Sequence, residues 1–374
     1  MKVNKPSVCF VALAAWPVLS GDRNIQSVGG AEVQQCFLAR NFVKLGFSVT
    51  MICMDYGQAD DVVIDGVRVL KAHTPAGGFP ILRFVHPRFT SVWMAMRRAN
   101  ADIYYQRACG VHTGYAAAFC RLYKRKFVYA AASDADFDPK MPLIHYQRGK
   151  VIYAWGIRQA HVVIVQHPNQ ADHCRELLGK EATLVKSCYT PPSHAKVNSA
   201  GYVLWVSTLR KLKRPELFVE LARQLPQYQF RIVGGAVKDL DLEAFKLNAA
   251  SLQNLELIGF VPHAEIEAQF DGARLFVNTS EFEGFPNTFL QSWARGIPTV
   301  SYVETGSMLE GKPVVNRVNT LEEMVQVVEY LMSNDIAWKV AGQRSKECFM
   351  AEHAIETVTD QYAELFNNLF ETKE

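Results

Sequence analysis

"ARLFVNTSEFEGFPNTFLQSWARGIPTV", residues 273–300, carries the reading on which the fold turns. Its opening run, 273–280, is short, apolar and rich in residues that favour strands, as in a strand covered on both faces of a sheet. Gly284 and Pro286 then break the chain, and Asn287 and Thr288 are residue types that start helices. An apolar helix follows to Gly296, and "TVSYV" at 299–303 reads as the next strand. Strand, helix and strand in that order make a βαβ unit, whose strands run parallel because the helix carries the chain back across the sheet.

The pattern extends in both directions. Upstream stand the strand "YVLWVS" (202–207), the helix "PELFVELARQL" (215–225), and the strands "QFRIVGG" (229–235) and "LELIGFV" (255–261). The first half of the chain repeats the theme: a strand over Val8 to Leu13, a helix from Gly30 to Leu45, and "FSVTMICM" ending before Asp55. "DIYYQ" (102–106), "KFVYAAA" (126–132) and "HVVIVQ" (161–166) follow with helical stretches between them. Pro, Ser and Gly interrupt the periodicity in "SCYTPPSHAKVNSAG" (187–201), which reads as a linker. A chain of 374 residues exceeds one ordinary core, and its 49% apolar content is enough for two. The expected fold is therefore α/β, with a domain over 1–190, a second over 191–350, and a tail, 351–374. That tail places Ile355, Val358, Tyr362, Leu365, Phe366 and Leu369 on one helical face, which needs a surface to cover it.

Forty Lys and Arg against 37 Asp and Glu are too nearly balanced for a nucleic-acid-binding protein. The charge is nonetheless uneven: positions 83, 88, 97, 98, 107, 121, 124, 125 and 126 are basic, with Asp102 the single acid among them. Eight scattered cysteines without a C-x-x-C pair signal neither a zinc site nor a disulfide framework, and fit a reducing, cytoplasmic setting. No apolar run is long enough to cross a bilayer. "MKVNKPSVCFVALAAWPVLSG" imitates a signal peptide, but its apolar part reads better as the first buried strand. In "RFTSVWMAMRR" (88–98), Phe89, Val92, Trp93 and Met96 share a helical face ending in Arg97 and Arg98. That composition suits either an interfacial helix or a core-facing one.

Parallel α/β domains gather ligands at the carboxyl ends of their strands. The loop after 273–280 is such a place: free N–H groups near Asn287 and Thr288 suit a phosphate, Glu283 is placed to touch the rest of the ligand, and Gln291 offers a donor and an acceptor to vicinal hydroxyls. "STLRKLKRPE" (207–216) puts Arg210, Lys211, Lys213 and Arg214 beside a helix start, an arrangement that opposes the helix dipole until an anion binds. Gly29 and Gly30 open the first helix and permit close approach of a ligand.

Together these pieces resemble the large retaining glycosyltransferase family of GT-B architecture, often called family 4. The matching segments are "GGAE" (29–32), "KRPELF" (213–218), "GFV" (259–261), and "EGFPNTFLQSWARGIPTV", which is similar to the family's Glu-x7-Glu signature followed by Gly-x-Pro-x-Val. The resemblance implies two Rossmann-like domains facing a central cleft, with a last helix crossing back to the first. It implies transfer from a UDP- or GDP-sugar to a glycan or lipid-linked acceptor, with retention, in surface polysaccharide or glycolipid synthesis. No metal or other cofactor and no nucleic acid is implied, and the setting is cytoplasmic or peripheral at the inner membrane face. Glu283 and Lys213 are the catalytic expectations. Donor contacts are expected from Gly29, Gly30, Arg210, Gly235, Val261, Gly284, Phe285, Pro286, Asn287, Thr288 and Gln291, and acceptor contacts from Arg107, His112, Ser133 and Asp134. Three departures stand out. Gln291 replaces the second Glu, so a carboxylate restored there is expected to be tolerated. Ser207-Thr208 stands where the family has Gly-Arg, with Arg210 the candidate for the second cation. "SD" at 133–134 stands where the family has His-Asp, which leaves that histidine without an obvious counterpart and His112 in "CGVHTG" as a candidate.

Other classes fit less well. A nicotinamide dehydrogenase would use Asp55, yet "SVGGAE" lacks G-x-G-x-x-G. Asp134 and Asp136 could suggest a metal-dependent transferase, but short acidic clusters are commonplace in loops. A nucleotide-sugar epimerase and a carbohydrate-binding protein without turnover complete the alternatives.

Overall fold

The computed structural model describes residues 5–21, 29–78, 84–191, 198–235, 239–262, 265–281 and 283–371. Ser27, Val28, Phe282 and residues 192–197 of the expected linker lie outside the described residues. The chain forms two compact units, residues 1–188 with 355–374, and residues 189–354.

In the first unit the strands are β1 (Val8–Val11), β2 (Val49–Cys53), β3 (Val62–Ile64), β4 (Val67–Lys71), β5 (Ile103–Arg107), β6 (Lys126–Ala130), β7 (Val162–Val165) and β8 (Thr183–Leu184). They form one sheet in the order β3-β4-β2-β1-β5-β6-β7-β8, parallel except for the β3–β4 pair. The helices are α1 (Trp16–Ser20), α2 (Gly30–Lys44), α3 (Thr90–Ala99), α4 (Val111–Tyr123), α5 (Gln147–Arg158) and α6 (Pro168–Leu178). β1 is buried at every position in the middle of this sheet, so the segment that imitates a signal peptide is the unit's central strand. The β3–β4 ribbon is absent from the sequence reading, although "VRVLK" carries the apolar signal of a strand.

α3 resolves the ambiguity of its sequence. Val92 and Met96 are fully buried, and Phe89 and Trp93 pack on Tyr115, Phe119 and Tyr123 through ring contacts of 4.5–6.1 Å within that cluster. Of the two readings of that apolar face, the packing is that of the core-facing one.

The second unit contains β9 (Tyr202–Val206), β10 (Phe230–Val233), β11 (Leu255–Gly259), β12 (Ala273–Asn278), β13 (Thr299–Ser301), a small hairpin of β14 (Met308–Leu309) and β15 (Lys312–Pro313), and β16 (Asn316–Arg317). Its sheet is wholly parallel, in the order β11-β10-β9-β12-β13-β16. Helices α7 (Pro215–Gln224), α8 (Leu242–Ala250), α9 (Glu267–Asp271), α10 (Asn287–Trp293), α11 (Leu321–Ser333) and α12 (Asp335–Glu352) connect and cover it. The last helix, α13 (Ile355–Glu371), belongs to the first unit, where Ile355, Val358, Tyr362 and Phe366 are buried in the core formed by α2 and the sheet. Among the described residues, no helix is long and apolar enough to cross a membrane.

Candidate functional site

Strand order locates the site. The second sheet grows one way through β9, β10 and β11 and the other way through β12, β13 and β16, so the direction of winding reverses between β9 and β12. Loops leaving the carboxyl ends of such a pair go to opposite faces and open a crevice between them. One of these two loops carries Lys213 and the other carries Glu283.

The structure brings those two side chains together: Lys213 Nζ lies 2.5 Å from Glu283 Oε1, each 16% exposed. Ser280 Oγ donates to the same oxygen at 2.7 Å, and Asn278 Nδ2 stands at 3.5 Å. The loops are laced to each other below the pair. Thr279 Oγ1 donates to the Lys213 carbonyl at 2.7 Å and accepts from Trp205 Nε1 at 2.9 Å, while the Glu281 N–H donates to the Leu212 carbonyl at 3.0 Å. Arg214, in the left-handed region at φ 47°, donates to the carbonyls of Thr279 and Ser280 at 2.8 and 3.2 Å and stacks over Tyr302. The four cations of the sequence motif thus divide their work. Arg214 straps the loops, Lys213 meets Glu283, Lys211 is exposed, and Arg210 stands 3.5 Å from Asp239 rather than beside Lys213.

Gly234 and Gly235 end β10 against the same loop. A Cβ built at Gly234 would fall 1.7 Å from the Ser207 carbonyl oxygen, so the close approach of the two backbones requires glycine there. Leu209 N–H donates to the Gly235 carbonyl at 2.8 Å, and Phe260 covers Gly235 next to Val261.

α10 begins one residue earlier than its residue types suggest. Pro286 is the cap and Asn287 and Thr288 are the first helical residues, with no side-chain capping bond. Phe285 stands edge-on to Trp293 at 5.8 Å and lies 4.8 Å from the His353 ring. Gln291 is buried and does not stand alone: its Nε2 donates to Glu267 Oε1 at 2.9 Å. Glu267 and Asp271, both on α9, also hold Arg295, whose side chain is wholly buried, at 2.9 and 2.8 Å. Burial works against that guanidinium's charge, yet its bonds to Tyr189, Asp271 and Glu267 outweigh it and keep it protonated. Glu267 and Arg295 are missing from the sequence reading. The one signal was an arginine at the end of an otherwise apolar helix.

In the first unit the winding reverses between β1 and β5, and the loop after β5 leads to His112 in the first turn of α4. Burial and the neighbouring His73 imidazole push the His112 pKa down to about 4, so the ring is neutral near pH 7. Arg107 ends β5, buried, with Nη2 3.4 Å from Ser187 Oγ. Ser133 caps a short 3-10 turn in a capping box with Asp136. Asp136 is buried and accepts backbone N–H groups of Ala132, Ser133 and Cys109. Asp134 Oδ1 accepts from Gln170 Nε2 at 3.0 Å. The acidic cluster is therefore engaged in local structure. Gly29 caps α2 and Gly30 is its first residue. Asp55, at the end of β2, is held by Lys71 at 2.8 Å. Elsewhere in the second unit Cys348, Glu352 and His353 offer one ligand atom each within 4.8 Å, three groups against the four of a structural zinc site.

Residues 29–186 match the family model for a glycosyl transferase 4-like domain, and residues 190–312 match that for glycosyl transferases group 1. The chain belongs to this family of glycosyltransferases, and its two parallel-sheet, Rossmann-like domains are those of the GT-B architecture. It is 23% identical over 335 residues to a phosphatidylinositol N-acetylglucosaminyltransferase component of Arabidopsis thaliana, a match that covers 82% of this chain and 71% of the relative. A stretch of 122 residues is 33% identical to the Escherichia coli O-antigen biosynthesis glycosyltransferase WbnH, about a third of each chain at 32% and 34%. Among solved structures, sucrose-phosphate synthase from Thermosynechococcus elongatus superposes with a TM-score of 0.79 at 15% identity, over 99% of this chain and 100% of that one. The Anabaena protein HepE, solved in complex with UDP-glucose, gives 0.71 at 14% identity, over 97% and 100%.

Proposed function

We propose that this glycosyltransferase moves a sugar from a nucleotide-sugar donor, such as a UDP- or GDP-sugar, to a glycan or lipid-linked acceptor with retention of anomeric configuration. The observation that carries the reading is the Lys213–Glu283 pair at the reversal point of the second sheet. A nucleoside diphosphate sugar presents a dianionic bridge next to a ring of hydroxyls. An ammonium and a carboxylate side by side complement those two parts in turn. Without donor each neutralises the other. With donor, the diphosphate takes over the Lys213 ammonium and Glu283 turns to the sugar.

Charge develops on the departing diphosphate in the transition state, and a preorganised cation there supplies the largest electrostatic contribution. Lys213 fills that role together with backbone N–H groups of the 284–288 loop, and the reaction as proposed needs no metal. The leaving phosphate removes the acceptor proton, so no dedicated base is assigned. Gly235, Val261, Phe285 and Gln291 line the nucleotide side. Neutral His112, with Arg107, serves the acceptor side. The names of the relatives, one acting on phosphatidylinositol and one in O-antigen synthesis, favour a lipid-linked or polysaccharide acceptor, and with such an acceptor the proposed place of work is the cytoplasmic face of a membrane.

The test is a melting-temperature series with UDP, GDP and ADP, since a ligand at 100 times its dissociation constant adds about 2.7 kcal/mol. The nucleotide so identified is then offered as its sugars with candidate acceptors, and the product's anomeric configuration is read by NMR. No shift with any nucleotide, or a product of inverted configuration, removes the corresponding part of the proposal.

A further inference from the structure

We infer that Glu267 is a positioning residue for the ribose of the donor, acting through Gln291, an inference that rests on the nucleotide-sugar reading above. A carboxylate is acceptor-only, so the 2.9 Å contact between Glu267 Oε1 and the Gln291 amide fixes which way that amide faces. One hydrogen of its NH2 is committed to Glu267, which sets the amide's orientation and leaves Oε1 as the acceptor that Gln291 offers a ligand. Glu267 is itself held in place. Its second oxygen accepts from Arg295 Nη2 at 2.9 Å and from the Tyr189 hydroxyl, and Arg295 Nη1 donates back to the Gln291 carbonyl at 3.1 Å.

The charges explain why an amide stands at 291. One buried guanidinium already faces two carboxylates, Glu267 and Asp271. A third at 291 would sit within hydrogen-bond distance of Glu267 and would have to share that same guanidinium. The negative charge that the family signature places on α10 is carried instead on α9, one hydrogen bond behind the ligand. A ribose hydroxyl donating to Gln291 Oε1 polarises the amide, and the N–H···carboxylate bond behind it strengthens in turn. The site reads a hydroxyl by its proton, which a deoxyribose lacks.

The experiment takes whichever of UDP, GDP or ADP binds the full-length chain most tightly and compares its affinity with those of its 2′-deoxy and 3′-deoxy forms. Wild type should prefer the ribose form over at least one deoxy form by about tenfold. Glu267→Gln releases the amide to face either way, so the ribose form should weaken about tenfold while the deoxy forms hardly change. The exchange Glu267→Gln with Gln291→Glu returns a carboxylate to α10 and should recover the preference to within about threefold. A purely structural role for Glu267 would weaken all nucleotides alike. The inference falls if both variants keep the wild-type preference, or if the exchange fails to recover what the single change loses. If no nucleoside diphosphate binds the wild-type chain, the donor reading itself fails and this inference goes with it.

Discussion

Lys213 and Glu283 neutralise each other as an ion pair, and their substitutions should therefore have opposite signs in binding. Lys213→Ala removes the diphosphate's cation, and nucleoside diphosphate affinity and turnover should fall tenfold or more, about 1.4 kcal/mol. Glu283→Gln dissolves the 2.5 Å ion pair and frees the ammonium. Calorimetry should find nucleoside diphosphate bound at least as tightly while turnover drops, because the lost charge belongs to the reacting sugar. Equal weakening by both substitutions would contradict these roles. The expectation that a carboxylate is tolerated at 291 is revised by Glu267 at 2.9 Å. Two carboxylates at that distance cannot both ionise freely, so one folded-state pKa rises above its unfolded value. Such a group stabilises the fold only at low pH, and that contribution is lost as pH rises through the folded pKa. Gln291→Glu should accordingly melt close to wild type at pH 5 and well below it at pH 8, with each pKa unit worth about 1.4 kcal/mol. His112 has the reverse sign. Its folded pKa is lowered to about 4, so protonation favours the unfolded chain as pH falls below the unfolded value of about 6.5. Part of the acid destabilisation between about pH 6.5 and 4 should disappear in His112→Gln, read as melting temperature against pH.

Among the elements, the crossing of α4 and α5 is set by two glycines. A Cβ at Gly156 would lie 2.6 Å from the Gly114 Cα, and one at Gly114 would lie 2.7 Å from the Ile152 carbonyl oxygen. Helices can approach this closely only where neither carries a side chain at the contact. Gly156→Ala should force the pair apart and cost about 1–3 kcal/mol, measured by denaturant unfolding. A change under 0.5 kcal/mol would show that the contact yields freely. The crossing matters to the site because α4 begins with the turn that holds His112. Neither glycine is marked in the sequence, since a close crossing depends on which helix lies opposite. The elements themselves were more legible. β9, β10 and β12 fall within the segments that apolar runs indicated, because strands covered on both faces have no solvent side to interrupt them, and β11, half-buried at the sheet's edge, falls within one as well because its five residues are mostly apolar. The β3–β4 ribbon escaped because Val62–Ile64 is only three residues long, too short for a periodic signal, besides lying half-buried at the sheet's edge.

For the molecule as a whole, α13 completes the first unit from the far end of the chain. Phe366 is fully buried and touches Phe42, Tyr105 and Tyr362 at 5.4, 6.4 and 5.9 Å. Asn41 donates to Thr359 from α2, tying the helix across 318 residues of sequence. Phe366→Ala should cost about 3–5 kcal/mol, a large part of the 5–15 kcal/mol that stabilises an ordinary domain. Thermal unfolding followed in the first unit should show it, and a loss below 1 kcal/mol would mean that the helix is dispensable. The apolar stripe of α13 announced that something must cover it. Which core it joins was settled by packing.

What the sequence by itself determined is whatever depends on local order: the parallel βαβ rhythm, the break between two units, the glycines at close backbone turns and the residues that the family signature marks. Periodicity and turn chemistry act over a few residues, so they can be read along the chain. The tertiary structure alone decided the partnerships. Lys213 and Glu283 are 70 residues apart, and Gln291 and Glu267 are 24 apart on different helices. That Arg214 straps a loop while Lys213 faces Glu283 follows from how β9 and β12 come side by side, as does the placement of α9 against α10. Charge compensation is a property of neighbours in space. For that reason Gln291 looked like a lost carboxylate in the sequence and stands in the fold with one behind it.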